Sequence, residues 1–176
     1  KQQDANFQGI DVSNIGGGLT NTIGKYIVGY SPFVFNVYKQ VYDKTTGKPI
    51  ENLFEDLNRD GQITSADRYL YKKPAADILF GLNTQVSYKK WNVGLAAHGA
   101  VGNYLYNQLN SNNGVLRALK NPINFIQNGV PDYNNTGFSG TTTNEYLSDY
   151  YIENASFFRL DNINIGYNFG KVLKNK

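Results

Sequence analysis

The stretch Asp56–Arg68, DLNRDGQITSADR, sets oxygen-bearing side chains at alternate positions ahead of a glycine. Asp56, Asn58 and Asp60 take positions 1, 3 and 5 of a calcium-loop frame, Gly61 takes 6, Gln62 takes 7 and Asp67 takes 12. Ca2+ takes hard oxygen donors in that order: side chains at 1, 3 and 5, a backbone carbonyl at 7 and a carboxylate at 12, with glycine allowing the sharp turn. The expected ligands are therefore Asp56, Asn58, Asp60, the Gln62 carbonyl and Asp67, with Ile63 anchoring the loop to neighbouring apolar surface. Aspartate at position 12 reaches less far than glutamate, so an affinity as weak as about 10⁻⁴ to 10⁻³ M is expected. The flanking residues do not read as helices, which argues for a local staple and not a sensor. A set of Asx turns without metal is the alternative for the same residues.

Little else in the chain could do chemistry. The one histidine, His98, and the absence of cysteine exclude a multi-histidine metal centre, a thiolate zinc site and a disulfide framework. No nucleophile–base pair and no catalytic carboxylate couple stands out, so an enzyme is not expected. His98 itself reads as a polar inward residue bonded to a neighbour. Net charge is +3 with the basic residues dispersed, which speaks against nucleic acid as a partner. The sequence opens at Lys1 without a signal-peptide pattern and reads as a portion of a longer chain.

The elements that must position the loop are strands. Tyrosine (14) and phenylalanine (10) are abundant, and the usual helix builders are sparse, which points to an all-β chain joined by polar turns. Residues 1–24, with Gly16–Gly18, read as loop. Residues 25–43 suggest one or two strands broken near Pro32, and KTTGKPI reads as a turn.

The clearest pattern lies in 77–101. Ile78, Phe80, Leu82, Thr84, Val86 and Tyr88 share one parity, and after Lys89-Lys90 the alternation resumes with Trp91, Val93, Leu95, Ala97, Gly99 and Val101. Period two, twice, predicts a hairpin with Tyr88 opposite Trp91. Lys-Lys is not a favoured two-residue turn, so a longer one stays open. A third strand is expected in SFFRLDNINIGYNF, with Phe157, Ile163, Ile165, Tyr167 and Phe169 on one face and Asn162, Asn164, Gly166 and Asn168 on the other. Residues 103–153 read as one long polar loop with a short helix near Val115–Leu119. Apolar-out, polar-in strands of roughly 9 to 11 residues, one short and one very long connection, and aromatic strand ends suit a transmembrane barrel. A soluble sheet with one buried face gives the same alternation.

Three blocks of the sequence resemble a known family. They are YIVGYSPFVFNVYKQVYDKTTGKPIENLFEDLNRDGQITSADR, ILFGLNTQVSYKKWNVGLAAHGAVGNYLYN and YIENASFFRLDNINIGYNF, in this order. They are similar to SusC/RagA-type TonB-dependent outer-membrane transporters of Bacteroidetes. The resemblance implies a C-terminal portion of an antiparallel barrel of about 22 strands with a plug inside, and about two further strands after Lys176. It divides the chain into an extracellular loop region at 1–76 holding the calcium-type loop at 56–67, a transmembrane hairpin at 77–102, a long extracellular loop at 103–153 and a transmembrane strand at 154–170.

The function so implied is uptake of glycan oligomers or peptides through the outer membrane. The implied partners are the rest of the barrel and its plug, a SusD-like surface lipoprotein, the TonB complex and outer-membrane lipid. The alternative is a soluble extracellular β-domain for adhesion or carbohydrate binding, stabilised by the same calcium loop.

Overall fold

The computed structural model describes residues 9–14, 22–120, 129–140 and 144–170. Its strands are β1 Ile10–Asn14, β2 Thr22–Tyr26, β3 Val34–Val37, β4 Gln40–Tyr42, β5 Pro49–Phe54, β6 Tyr69–Leu70, β7 Ile78–Tyr88, β8 Trp91–Val101, β9 Tyr104–Tyr106, β10 Ile152–Asn154 and β11 Phe157–Tyr167. Three short helices join them: α1 Gln108–Asn113, α2 Leu116–Leu119 and α3 Tyr133–Thr136. Single 3₁₀ turns lie at Ser65–Asp67, Asn144–Leu147 and Asp149–Tyr151. Every strand pair is antiparallel, and the all-β reading holds.

The chain forms two units. One takes the residues up to Ala75 together with Tyr104–Asn154; the other takes Ala76–Asn103 and the residues from Ala155 on.

The second unit is a three-stranded sheet in the order β11-β8-β7, each strand 11 residues long. Period-two patterning sets its register, with Ile78 opposite Val101 at one end and Tyr88 opposite Trp91 at the other. The turn has two residues, and Lys89 alone of the pair takes positive φ (55°). Partners across an antiparallel ladder share a face. Phe80, Leu82, Val86 and Tyr88 therefore lie with Val93, Leu95 and Ala97 on one face, and Asn83, Gln85, Asn92 and His98 lie on the other. The apolar face is bare: Leu82 is 54% exposed, Val86 60% and Ile165 66%. At the turn end Trp91 and Tyr167 pack edge-on at 4.8 Å, and Tyr167 meets Phe169 at 4.9 Å.

One part of the third strand differs from expectation. The register of β11 against β8 slips between Leu160 and Asn162, so Asp161 is an extra residue, a β-bulge. A bulge reverses parity. Ile163, Ile165 and Tyr167 keep the apolar face, but before the bulge that face belongs to Phe158 and Leu160. Phe157 pairs with Ala100 on the opposite face, where its ring meets His98 edge-on at 5.4 Å. The strand also starts later than 154, because Asn154 belongs to β10, paired with Tyr104.

The first unit is built from short pieces. A sheet runs β1-β2-β3-β6, β4 and β5 form a hairpin, and β9 pairs with β10. Its core holds Ile23, Phe35, Val37, Tyr38, Phe54, Leu147 and Ile152. Residues 10–14 and 22–24 are strand and not loop, because Ile10 and Val12 find partners in Tyr26 and Gly24; Gly16–Gly18 lie outside the described residues. The segment 103–153, read as one loop, carries β9, β10 and the three helices. Leu147 and Ile152 enter the core from it, burying enough apolar surface to order it. The helix expected near Val115 is α2. Residues 121–128 and 141–143 of this segment lie outside the described residues.

A side chain at Gly99 generates a test of the sheet. The rings of Phe80 and Phe158, from the two flanking strands, stack at 6.1 Å with 12° between planes, and both residues pair with Gly99. A Cβ on Gly99 would meet the Phe80 ring and come within 2.7 Å of the Phe157 carbonyl oxygen. Gly99→Val should therefore displace the rings and cost about 1–3 kcal/mol by overpacking. Urea unfolding of the full-length protein in detergent would show the loss; an unchanged midpoint would contradict the packing.

Candidate functional site

The Asp56–Asp67 loop leaves β5 after Phe54 and ends in the 3₁₀ turn before β6. It is wound tightly by two left-handed residues, Arg59 (φ 61°) and Gly61 (φ 82°). Side-chain oxygens hold the winding. Asp56 accepts the amides of Arg59 (2.6 Å) and Gly61 (2.8 Å) on its two oxygens. Asn58 Oδ1 accepts the Asp60 amide at 2.9 Å, and its Nδ2 donates to Asp60 Oδ2 at 2.8 Å. Asp60 Oδ1 accepts the Gln62 amide at 2.8 Å. Ile63 packs against the core, the anchoring expected of position 8.

Asp67, within hydrogen-bonding reach of the Asp56 carboxyl, is held differently from the other donors. It is fully buried. Its Oδ1 accepts the amides of Leu57 (3.0 Å) and Asn58 (3.3 Å), and its Oδ2 accepts the Thr64 amide (2.8 Å) and hydroxyl (3.5 Å). The Thr64 hydroxyl in turn accepts from Ala66, completing a capping box. An ionised carboxylate has about four lone-pair sites, so Asp67 is filled. The Thr64 amide, ahead of the Asn58 and Leu57 amides and against the effect of burial, holds its pKa below the usual carboxylate range.

As donors the five residues suit a hard cation. Asp56, Asn58 and Asp60 keep unfilled lone pairs on neighbouring turns of the loop, whereas Asp67 would have to exchange an amide or the hydroxyl. In this hydrogen-bonded winding no three of the acidic or imidazole side chains among the described residues form a metal-type cluster.

The polar face of the β11-β8-β7 sheet carries the only histidine. His98 Nδ1 lies 2.5 Å from Asp161 Oδ2, and Arg159 Nε lies 3.7 Å from Asp161 Oδ1. The bulge is what turns Asp161 onto His98. Nearby, Gln85 Nε2 donates to Asn92 Oδ1 at 3.1 Å, and the Asn164 amide lies over Gly94, where a Cβ would come within 2.6 Å of its Oδ1. The reading of His98 as a polar residue bonded to a neighbour fits its contact with Asp161.

Sequence reasoning missed several groups of the first unit. Gln40 is buried, donates from Nε2 to the carbonyls of Val41, Ile50 and Leu53, and accepts the Ser148 hydroxyl. Asp149 accepts the Gln40 amide at 3.0 Å and the Tyr69 hydroxyl at 2.7 Å. Glu51 accepts the amides of Ser139 (2.8 Å) and Gly140 (3.2 Å) and the Ser139 hydroxyl, and Glu145 is buried beside it. These partners are up to 109 residues apart in sequence, and no local spacing announces them.

No family profile matches the chain. It is 38% identical over 167 residues to the TonB-dependent receptor SusC of Bacteroides thetaiotaomicron, covering 89% of this chain and 16% of that protein. It is 29% identical over 125 residues to the TonB-dependent receptor P3 of Formosa agariphila, covering 68% of this chain and 12% of that protein. The chain thus spans less than a fifth of the length of either relative.

Asp67 generates a pH dependence whose sign is fixed. A carboxylate with a lowered folded pKa stabilises the fold above its unfolded value near 4, and the contribution is lost as pH falls through the folded value. Protection of the amides at residues 57–64 of the full-length protein, corrected for the intrinsic pH dependence of exchange, should be high at pH 7 and fall below about pH 4. Asp67→Asn puts an amide donor against backbone N–H groups, so it should expose these amides at pH 7 and abolish the acid transition. An acid transition that survives in Asp67→Asn would assign it to another group.

Proposed function

The chain belongs with the SusC-type TonB-dependent receptors, and from that premise we propose that it is part of an outer-membrane nutrient importer and not of an enzyme. The observation that carries this reading is the bare apolar face of the β11-β8-β7 sheet, since exposed Leu82, Val86, Ile163 and Ile165 need a nonaqueous solvent. Its strands have the length a tilted crossing strand requires, and the polar opposite face suits a barrel lumen. Aromatic Tyr88, Trp91 and Tyr167 at the turn end fit an interfacial girdle.

In the complete receptor the sheet continues into the rest of the barrel, which encloses a plug coupled to TonB. Glycan oligomers or peptides are the cargo, captured with a SusD-like lipoprotein. The Lys89-Lys90 turn is then periplasmic. The chain connections near Ala75, Asn103 and Asn154 all leave the opposite end of the sheet, so the first unit, including 103–153, is extracellular. The same face on a soluble adhesive domain would expose a large apolar surface to water, which disfavours that alternative.

Calcium in the Asp56–Asp67 loop is part of this reading. Asp56, Asn58, Asp60 and the Gln62 carbonyl would hold it, with Asp67 joining by releasing a donor. The ion would cancel repulsion among the carboxylates and stiffen an extracellular loop.

Two measurements test the reading. Nitroxide labels at Val86→Cys and Gln85→Cys in the reconstituted receptor should differ, the first accessible to lipid-soluble oxygen and the second not; equal accessibility would reject the register and the barrel. Calcium at about ten times its Kd should stabilise the loop by about 1.4 kcal/mol, read as slower exchange at residues 56–67. Asp60→Ala should abolish that response and leave exchange in β7 and β8 unchanged. A loop indifferent to millimolar calcium would leave the Asx-turn structure standing without metal.

A further inference from the structure

Glu145, in the 3₁₀ turn Asn144–Leu147, is 3% exposed, and neither of its carboxylate oxygens has a hydrogen-bond donor among the described residues. The group within hydrogen-bonding reach of it is another carboxyl, that of Glu51 on β5. Glu51 Oε1 is itself held by the Ser139 amide and hydroxyl and the Gly140 amide. Three donors on one oxygen favour a charged Glu51. A second charge on Glu145 would then be buried, unpaired and beside a like charge, an arrangement that proteins avoid by neutralising one group. One proton removes the conflict. Glu145 becomes a carboxylic acid, gains a donor and gives it to Glu51.

We propose that Glu51 and Glu145 share a single proton and form a latch that ties β5 to the Asn144–Leu147 turn, and that loss of this proton opens the latch. Among the described residues the groups facing Glu145 are few. From β5 there is Glu51; α1 carries no charged residue. From α2 the Arg117 guanidinium favours the ionised form, but it donates to the Tyr146 hydroxyl at 2.5 Å. Tyr151, whose phenol burial and Glu145 both push upward, stays neutral and adds no positive charge. Burial first, then the Glu51 carboxyl, outweigh Arg117 and push Glu145 up to about 8. Burial of Glu51 acts in the same direction, but the Ser139 hydroxyl, the Glu145 carboxyl and the Ser139 and Gly140 amides outweigh it and hold Glu51 low.

The sign is opposite to that of Asp67. A group with a raised folded pKa stabilises fully below its unfolded value, and the contribution is lost as pH rises through the folded one. Opening of the latch releases one proton over that interval, so its equilibrium constant rises about tenfold per pH unit.

The test is hydrogen exchange on the full-length receptor in detergent, corrected for the intrinsic pH dependence of exchange, with an infrared spectrum of the carboxylic-acid carbonyl stretch. Opening at residues 144–151 should rise about tenfold per unit from pH 6 to pH 8 and level off above. A carboxylic-acid band should disappear over the same range. Glu145→Gln keeps a donor toward Glu51, so it should flatten the pH response and lack the band. Glu51→Gln keeps the acceptor for Ser139 and Gly140 and offers Glu145 an amide donor, so it should also flatten the response. A response or band that persists in Glu145→Gln overturns the proposal. So does opening of the wild-type segment by a calcium chelator at constant pH, which would make the pair a cation site.

Discussion

A strand in hydrocarbon has no water to satisfy its backbone, and this constraint orders everything else in the chain. The β11-β8-β7 sheet meets it inside by an unbroken ladder from Ile78–Val101 to Tyr88–Trp91. At β7 and β11 it meets it only if further strands pair there, because the described residues supply none. Its side chains obey the same constraint. Most large apolar residues take one parity, and the other carries amides, glycine and the paired His98–Asp161 couple, with Leu79 and Phe157 on it only near the end away from the turn. Polar groups that face an enclosed lumen can be satisfied by water and by each other; on the outer face they could not. Gly99 belongs to the same logic, since removing one side chain from the central strand lets Phe80 and Phe158 cover it from both sides.

The first unit solves the backbone problem by different means. Its strands are two to six residues long, too short for ladders to pair most amides. Acidic side chains replace the missing ladder. Asp43 caps the β4–β5 turn through the Thr45 and Thr46 amides, Asp56 and Asp60 wind the loop, Asp67 closes it, and Asp149 and Glu51 reach amides far along the chain. Charge-assisted bonds of this kind are stronger than neutral ones. A segment poor in regular structure can thus be ordered, at the expense of making its stability depend on protonation.

Legibility in the sequence followed from whether a feature repeats locally. The 78–101 hairpin was plain because apolar residues alternate without interruption and the Tyr88–Trp91 pair fixes its register. The bulge was not, since Asp161 fits either parity until its partner His98 is placed, and Phe157 was consequently put on the wrong face. β1 escaped notice because its alternation, Ile10 and Val12 against Asp11 and Ser13, is too short to stand out until it is paired with β2. The order within 103–153 is invisible for a similar reason: its buried residues, such as Leu147 and Ile152, are isolated among polar ones and join a core made by Ile23, Phe35 and Phe54. The loop donors were read directly from spacing, but their saturation by amides depends on backbone winding that spacing does not encode.

Two of the buried carboxyl groups of the first unit, Asp67 and Glu145, have shifted in opposite directions for one reason. Asp67 sits among backbone N–H groups that welcome its charge; Glu145 sits beside a charge that rejects it. Asp67 therefore withdraws its stabilisation as the medium becomes acidic, and Glu145 withdraws its own as the medium becomes alkaline. The unit is held most firmly at about pH 4 to 5, where Asp67 keeps its charge and Glu145 its proton, and the Glu145 contribution then falls progressively until its titration near 8 is complete. The framework strands owe little to either group, because their ladders and apolar face do not titrate. Acid below that range would loosen the segments around the loop, and rising pH would loosen those around the Asn144–Leu147 turn, so both protonation-dependent segments fall in the first unit.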